Sequence, residues 1–397
     1  MMKHHTPVAH RRRTWRHVVP RLSHFAAEYL LLFPIGALIA LVWANTLPAS
    51  YYGFTVPGSF MVNDILMVFF FGLIMKEVVE ATAPGGVLHP WRRAALPVVA
   101  ALGAASASAG VYVAFAYALG EPMLAWGWPI PAAVDIALGY FLARIIFGRE
   151  HPAISFLLLL ALAANAFGIV MVGAVYSAGG VRALAGAVLM VAAIWVAAAL
   201  RAHRVKNFWP YVLAGGGLSW VALFLIGVTP AFALVPILPF VPHATRDPGF
   251  FVDASPRAHD PLNRFELWAR YPAEAALFLF GLVNAGVLLG AYETGALAMP
   301  FATVIAKPIG ILAAAGLALG IGLHLPHRVG WRELIVLGLL TSPGFTFALF
   351  LATAAMPAGQ LVNEIKLGVL MGLAAALLAL FAAWALYVGR FARAKTH

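Results

Sequence analysis

Apolar residues fall in long uninterrupted blocks, and polar residues collect between them. Twelve such blocks follow one another at about 27–47, 58–82, 94–119, 126–147, 152–176, 180–200, 207–225, 228–242, 265–290, 297–322, 333–355 and 362–390. Each except 228–242 is long enough for a helix to cross a hydrocarbon core of ~30 Å. No block alternates with period two, so strands are not expected. The pattern predicts an all-α polytopic membrane protein with about twelve transmembrane helices. Three regions follow: a basic cytoplasmic tail at 1–24, one transmembrane domain at 25–392 and a short cytoplasmic tail at 393–397.

Composition strengthens this reading. Hydrophobic residues make up 63% of the 397, charged residues 10%, and mean hydropathy is +0.90. A soluble globule carries roughly 45–50% apolar and 25% charged residues, so a water-soluble fold is excluded. The net charge of +11 would suggest nucleic acid if it were clustered on a soluble surface. It is sorted by side instead. Of 26 basic residues, twenty lie in the termini and the even-numbered connections, Arg182 alone lies in an odd-numbered one, and five are inside or beside spans. Such asymmetry is the positive-inside pattern. It places both termini in the cytoplasm and accounts for the charge without nucleic acid. The basic tract between His4 and His24 is a topology anchor that also touches the anionic lipid bilayer.

Other chemistry is excluded by what is missing. There is no cysteine, hence no disulfide, thiolate metal site or cysteine nucleophile. The histidines lack metal-ligand spacing, no phosphate-cradling loop is present, and no nucleophile–base constellation is visible. The chain is therefore expected to be no enzyme and to need no metal or cofactor. Trp and Tyr near span ends are interfacial anchors and leave a homodimer open.

Two spans are interrupted. Span four contains Trp128-Pro129-Ile130-Pro131-Ala132-Ala133-Val134-Asp135, where Pro129 and Pro131 remove two backbone donors. Span eleven contains Thr341-Ser342-Pro343-Gly344-Phe345-Thr346, a break at Pro343 and Gly344. Irregular backbone at membrane depth persists only where protein buries it or it lines a cavity. Interrupted spans in corresponding halves point to a transport site. Span three (Leu96-Pro97 to Gly103) and span ten (Lys307-Pro308 to Ala314) pair weakly as well. Spans three to five (94–176) and ten to twelve (297–390) are then inverted repeats.

An ionisable group at mid-span costs at least ~2.5–3.5 kcal/mol, so each needs a reason. Asp135 and Lys307 are expected to neutralise facing half-helix ends, to act directly on a substrate, or both. Asp64 stands in span two with Glu77 thirteen residues further on. Glu77, between Lys76 and Glu80, is either a self-paired helix end or the mouth of a pH-sensing funnel. Glu274 in span nine is either paired across helices or a proton carrier.

At these residues the chain resembles the NhaA-type sodium/proton antiporters. The matching segments are Val62-Asn63-Asp64 through Phe69-Phe70-Phe71 to Glu77, Ile130 to Ala137, Asn284-Ala285-Gly286-Val287, Lys307-Pro308-Ile309-Gly310, Gly344-Phe345-Thr346 and Lys366 to Leu370. They stand in the family's order and cover spans two to twelve. The resemblance implies twelve helices, crossing broken spans four and eleven, and exchange of cytoplasmic Na+ or Li+ for external H+ at the inner membrane.

The resemblance also implies an aspartate pair in span five that binds the cation and releases protons. Its positions hold Asn165-Ala166 here, within Ala163-Ala164-Asn165-Ala166-Phe167-Gly168, and Val134 replaces the threonine usual before Asp135. An asparagine supplies an oxygen without charge and cannot titrate; an alanine supplies neither. Asn165 is then either a ligand oxygen or a helix-packing amide. The leading expectation is a sodium (or lithium)/proton antiporter with an altered ion site. Its alternatives are a carrier for another substrate, such as a small organic anion, and a non-transporting membrane sensor.

Overall fold

The computed structural model describes residues 19–82, 92–148, 151–175, 181–243, 260–290, 294–355 and 359–392. Among these residues there is no strand. The helices are α1 (Val19–Thr46), α2 (Pro48–Phe60), α3 (Met67–Thr82), α4 (Arg92–Ala118), α5 (Ile136–Phe147), α6 (Pro152–Val175), α7 (Val181–Ala202), α8 (Gly217–Ile226), α9 (Pro261–Asn284), α10 (Ala298–Pro300), α11 (Lys307–Gly320), α12 (Trp331–Thr341), α13 (Phe345–Ala355), α14 (Gln360–Met371) and α15 (Ala374–Ala385).

Six helical stretches among the described residues are long and apolar enough to cross a membrane, and the bent pair α12–α13 makes a seventh. Three shorter apolar helices accompany them. The outside of the molecule is apolar too. On α7, Val181, Leu184, Val188, Val191 and Trp195 are between 62% and 85% exposed. Apolar side chains in such a row are stable against lipid, not water. The chain is a polytopic all-α membrane protein.

Three features differ from the sequence pattern. The block 228–242 is not a helix: it folds as 3-10 turns at Pro230–Phe232 and Leu238–Phe240. Gly227, left-handed at φ 79°, ends α8, and Pro230, Pro236, Pro239 and Pro242 remove the donors a helix would need. Helix α1 begins at Val19, so residues 19–24 of the expected basic tail are already helical. The rest of that tail (1–18), the tail 393–397 and the loop carrying Arg246 and Arg257 lie outside the described residues. The third feature is a set of π-helical turns at Met61–Leu66, Tyr211–Gly216 and Phe301–Ala306. Such turns are rare and cluster at functional positions. Two of them directly follow a proline, Pro210 before the second and Pro300 before the third.

Helices α4 and α11 pack backbone to backbone. A Cβ on Gly103 would collide with Ala314 and the carbonyl of Gly310, and one on Gly310 with the carbonyl of Gly103. Glycine is needed there because close approach maximises dispersion contact where lipid removes any hydrophobic drive. This seam fixes α11, and Lys307 at its start, beside the interruption of span four.

Candidate functional site

Span four is broken as its prolines require. It runs through 3-10 turns at Leu124–Gly127 and Ile130–Ala132, then extended backbone, and becomes α5 only at Ile136. Span eleven stops at Thr341 and restarts at Phe345, with a bend of 49°. The two interruptions touch. The Asp135 N–H donates to the carbonyl of Pro343 at 2.9 Å. A Cβ on Gly344 would lie 2.7 Å from the carbonyl oxygen of Ala133, so only glycine allows this approach.

Each break leaves backbone groups without helical partners. Asp135 serves the donor side. It is the N-cap of α5, with Oδ1 accepting from the Leu138 N–H at 3.0 Å. Its Oδ2 accepts from the N–H of Thr346 at 3.2 Å and from Thr346 Oγ1 at 2.9 Å, in the first turn of α13. One carboxylate thus caps two helix starts. Lys307 serves the acceptor side. Its Nζ donates to the carbonyl of Ala133 at 2.7 Å, after the 3-10 turn, and to that of Thr341 at 3.2 Å, at the end of α12.

Asp135 is 7% exposed and Lys307 is fully buried. Among the described residues they make no ion pair with each other; each charge faces backbone instead. The magnitudes are consistent with this. A charge-assisted hydrogen bond contributes about 1.5–3 kcal/mol, so two or three offset a burial cost of ~2.5–3.5 kcal/mol.

Asn165, also fully buried, reaches the same place from α6. Its Nδ2 donates to the Val134 carbonyl at 2.8 Å, and its Oδ1 accepts from the Val134 N–H at 2.8 Å. One edge of the side-chain amide therefore pairs with both the N–H and the C=O of Val134. Ala166, the next residue, is exposed. The third π-turn completes the centre. The Lys307 N–H donates to Ala302, five residues back, which leaves the Thr303 carbonyl free. Ser342 Oγ donates to it at 2.6 Å, tying span ten to the break of span eleven.

The remaining candidate acids stand on other elements. Asp64 is partly buried in the first π-turn. Its carbonyl accepts from Trp220 Nε1 at 2.8 Å, and its carboxylate has no hydrogen-bond partner among the described residues. Its neighbour Asn63 forms an amide pair with Asn284 at 2.7 and 3.2 Å. Glu77 belongs to a cluster on Lys76, whose Nζ lies 3.4 Å from Glu77, 2.7 Å from Glu80 and 2.9 Å from Glu266. Glu274 is paired within its own helix, its Oε1 accepting from Arg270 Nε at 3.0 Å. That corrects the expectation of a cross-helix partner: the i,i+4 spacing brings the two together.

Three participants were not anticipated in these roles: Thr346, the Thr341 carbonyl and Glu266. Glu266 was visible only as one more acid near the start of span nine. Among the described residues, no cluster of His, Cys, Asp or Glu is arranged to hold a metal.

Fold and site define a polytopic all-helical membrane protein whose core charges hold two touching helix breaks. The protein family described as Na+/H+ antiporter 1 matches residues 23–386. The Na(+)/H(+) antiporter NhaA of Geobacter metallireducens is 41% identical over 353 residues, covering 87% of this chain and 92% of that protein. The Na(+)/H(+) antiporter NhaA 1 of Pelobacter propionicus is 39% identical over 363 residues, covering 89% and 95%. The solved structure of the sodium proton antiporter MjNhaP1 from Methanocaldococcus jannaschii aligns with a TM-score of 0.56 over 93% of this chain and 96% of that one. At 16% identity that likeness concerns the fold. The chain belongs to the Na+/H+ antiporter 1 family and is of the NhaA type, a family of transporters and not of enzymes.

Proposed function

We propose that the chain is a secondary transporter of the bacterial inner membrane that exchanges Na+, or Li+, for H+ through an altered ion site. In this reading it has about twelve spans, both termini in the cytoplasm, and spans four and eleven crossing within inverted repeats. The observation that carries it is the pair of touching breaks with Asp135 on two helix starts and Lys307 on two carbonyl ends. Such a centre holds unwound backbone at membrane depth, where a transporter alternates access.

Asp135 is the remaining core acid, Lys307 a candidate proton carrier, and Asp64 an auxiliary acid on the ion path. Glu77, in the Lys76 cluster, is the candidate for sensing pH. Glu274, paired with Arg270, is a weaker candidate proton carrier. With one carboxylate and one ammonium at the centre, exchange is electroneutral or slow.

Everted vesicles test this directly: addition of Na+ or Li+ should dissipate an imposed proton gradient, and membrane voltage should scarcely change the rate. Ala166→Asp should raise the rate by returning a carboxylate to span five. No gain in that variant, with normal folding, favours a carrier for another substrate. A small organic anion is the weaker form of that alternative, because two of the three Lys307 donors are already taken. Absence of flux with every ion, in folded protein, favours a non-transporting membrane sensor.

A further inference from the structure

Asn165 closes a two-bond ring with the peptide groups of Val134. Val134 stands between the two charged anchor points. The carbonyl of Ala133 before it accepts from Lys307, and Asp135 after it caps α5 and α13. In the break its own N–H and C=O have no helical partner, and Asn165 takes both.

We infer that Asn165 is a positioning residue that permanently imitates a protonated carboxyl, locking the interruption of span four to α6. The argument is one of donor and acceptor identity. A primary amide offers an N–H and a C=O on one edge. A neutral carboxyl group offers an O–H and a C=O on the same edge and closes the same ring. An ionised carboxylate only accepts. It keeps the Val134 N–H but turns an oxygen lone pair toward the Val134 carbonyl, so the ring opens and a buried acceptor loses its donor. An acid at this position would make and break the lock as it gains and loses a proton. The amide cannot, so the lock stays closed at every pH. This chain then releases no proton from span five, and whatever proton it moves travels by another group.

The charged groups beside the ring are Asp135 and Lys307. Among the elements packed against α6, α13 carries no ionisable residue, and α12 carries Arg332 and Glu333 only in its first turn. On α5, Arg144 lies over the ring of Tyr140. Helix α4 carries Tyr112, Tyr117 and, at its start, Arg92 and Arg93. An acid placed at 165 therefore titrates against Asp135 and Lys307 above all.

The test uses full-length protein in detergent, with Asn165→Asp and Asn165→Ala beside the wild type. Asn165→Ala should melt below the wild type by a similar margin at acid and alkaline pH. Asn165→Asp should melt close to the wild type at acid pH and fall to the Ala variant or below it at alkaline pH. The infrared band of a protonated carboxyl should appear in Asn165→Asp with the same pH midpoint, and it can be followed at acid pH if the variant does not survive elsewhere. A pH-independent loss in Asn165→Asp, equal to that of Asn165→Ala, overturns the inference. So does an Asn165→Ala variant as stable as the wild type.

Only the flux arm rests on the proposed transport. In proteoliposomes, Asn165→Asp should acquire a pH dependence of Na+-driven proton movement with the midpoint of its melting curve, absent from the wild type. If the melting pattern holds and no variant shows flux, the transport reading fails and the lock stands. If flux is present but the melting pattern is absent, the lock fails alone.

Discussion

Two buried lysines are accommodated in opposite ways. Lys307 donates only to main-chain carbonyls, those of Ala133 and Thr341. Lys76, 1% exposed, lies among three carboxylates, those of Glu77, Glu80 and Glu266. Backbone carbonyls cannot titrate, so the groups that accept from Lys307 are the same at all pH values. Carboxylates can, so the environment of Lys76 changes with proton concentration. One centre faces groups that cannot titrate and the other faces groups that can, although both rest on a lysine in an apolar bundle. The difference also separates breakage from modulation: removing Lys307 should damage the fold, and removing Lys76 should change how the fold responds to pH.

The largest expected effect is that of Lys307→Gln. It leaves the carbonyls of Ala133 and Thr341 without the ammonium that both accept from, at a cost of about 1.5–3 kcal/mol per charge-assisted bond. Thermal unfolding in detergent should show a loss of similar size at acid and alkaline pH. Asp135→Asn should lose less, about 1–3 kcal/mol, because one amide oxygen still accepts from one of the two helix starts.

Lys76→Met comes next and carries the sharpest contrast. It removes the ammonium that three acids share, and their mutual repulsion should cost about 1–3 kcal/mol near neutrality. Acid should restore that loss by neutralising the carboxylates. If Lys76→Met is equally unstable at all pH values, or if Lys307→Gln recovers in acid, the two lysines are not different in kind.

A smaller effect refines the first centre. Ser342→Ala frees the Thr303 carbonyl that the π-turn exposes, with an expected loss of about 1 kcal/mol, readable as a lower melting temperature without pH dependence. The smallest effect belongs to neither centre. The Arg270–Glu274 pair is partly exposed, with side-chain accessibilities of 25% and 17%, so Glu274→Gln should change stability by no more than ~0.5 kcal/mol. Its melting curve should follow that of the wild type across pH; a marked pH shift would place Glu274 among the proton-handling acids instead.

What the sequence by itself determined was the class and the materials. Apolar blocks with few charges permit only lipid as the surrounding solvent, and Pro129, Pro131, Pro343 and Gly344 forbid continuous helices where they stand. Those are local constraints, set by side-chain transfer energies and by backbone donors that proline lacks. They made the two interruptions legible, together with a carboxylate and an ammonium suited to opposite helix ends. Prolines also mark the block 228–242, yet hydropathy alone presented it as a short span. Tertiary structure decided the partners. Thr346 reaches Asp135 across 211 residues, Lys307 reaches Ala133 across 174 and Asn165 reaches Val134 across 31, and no local pattern encodes those meetings. A hydrogen bond requires donor and acceptor to be placed within a few tenths of an ångström. Only the packing of whole helices sets positions that finely, which is why an asparagine that the sequence leaves open between ligand oxygen and packing amide is found closing a backbone ring.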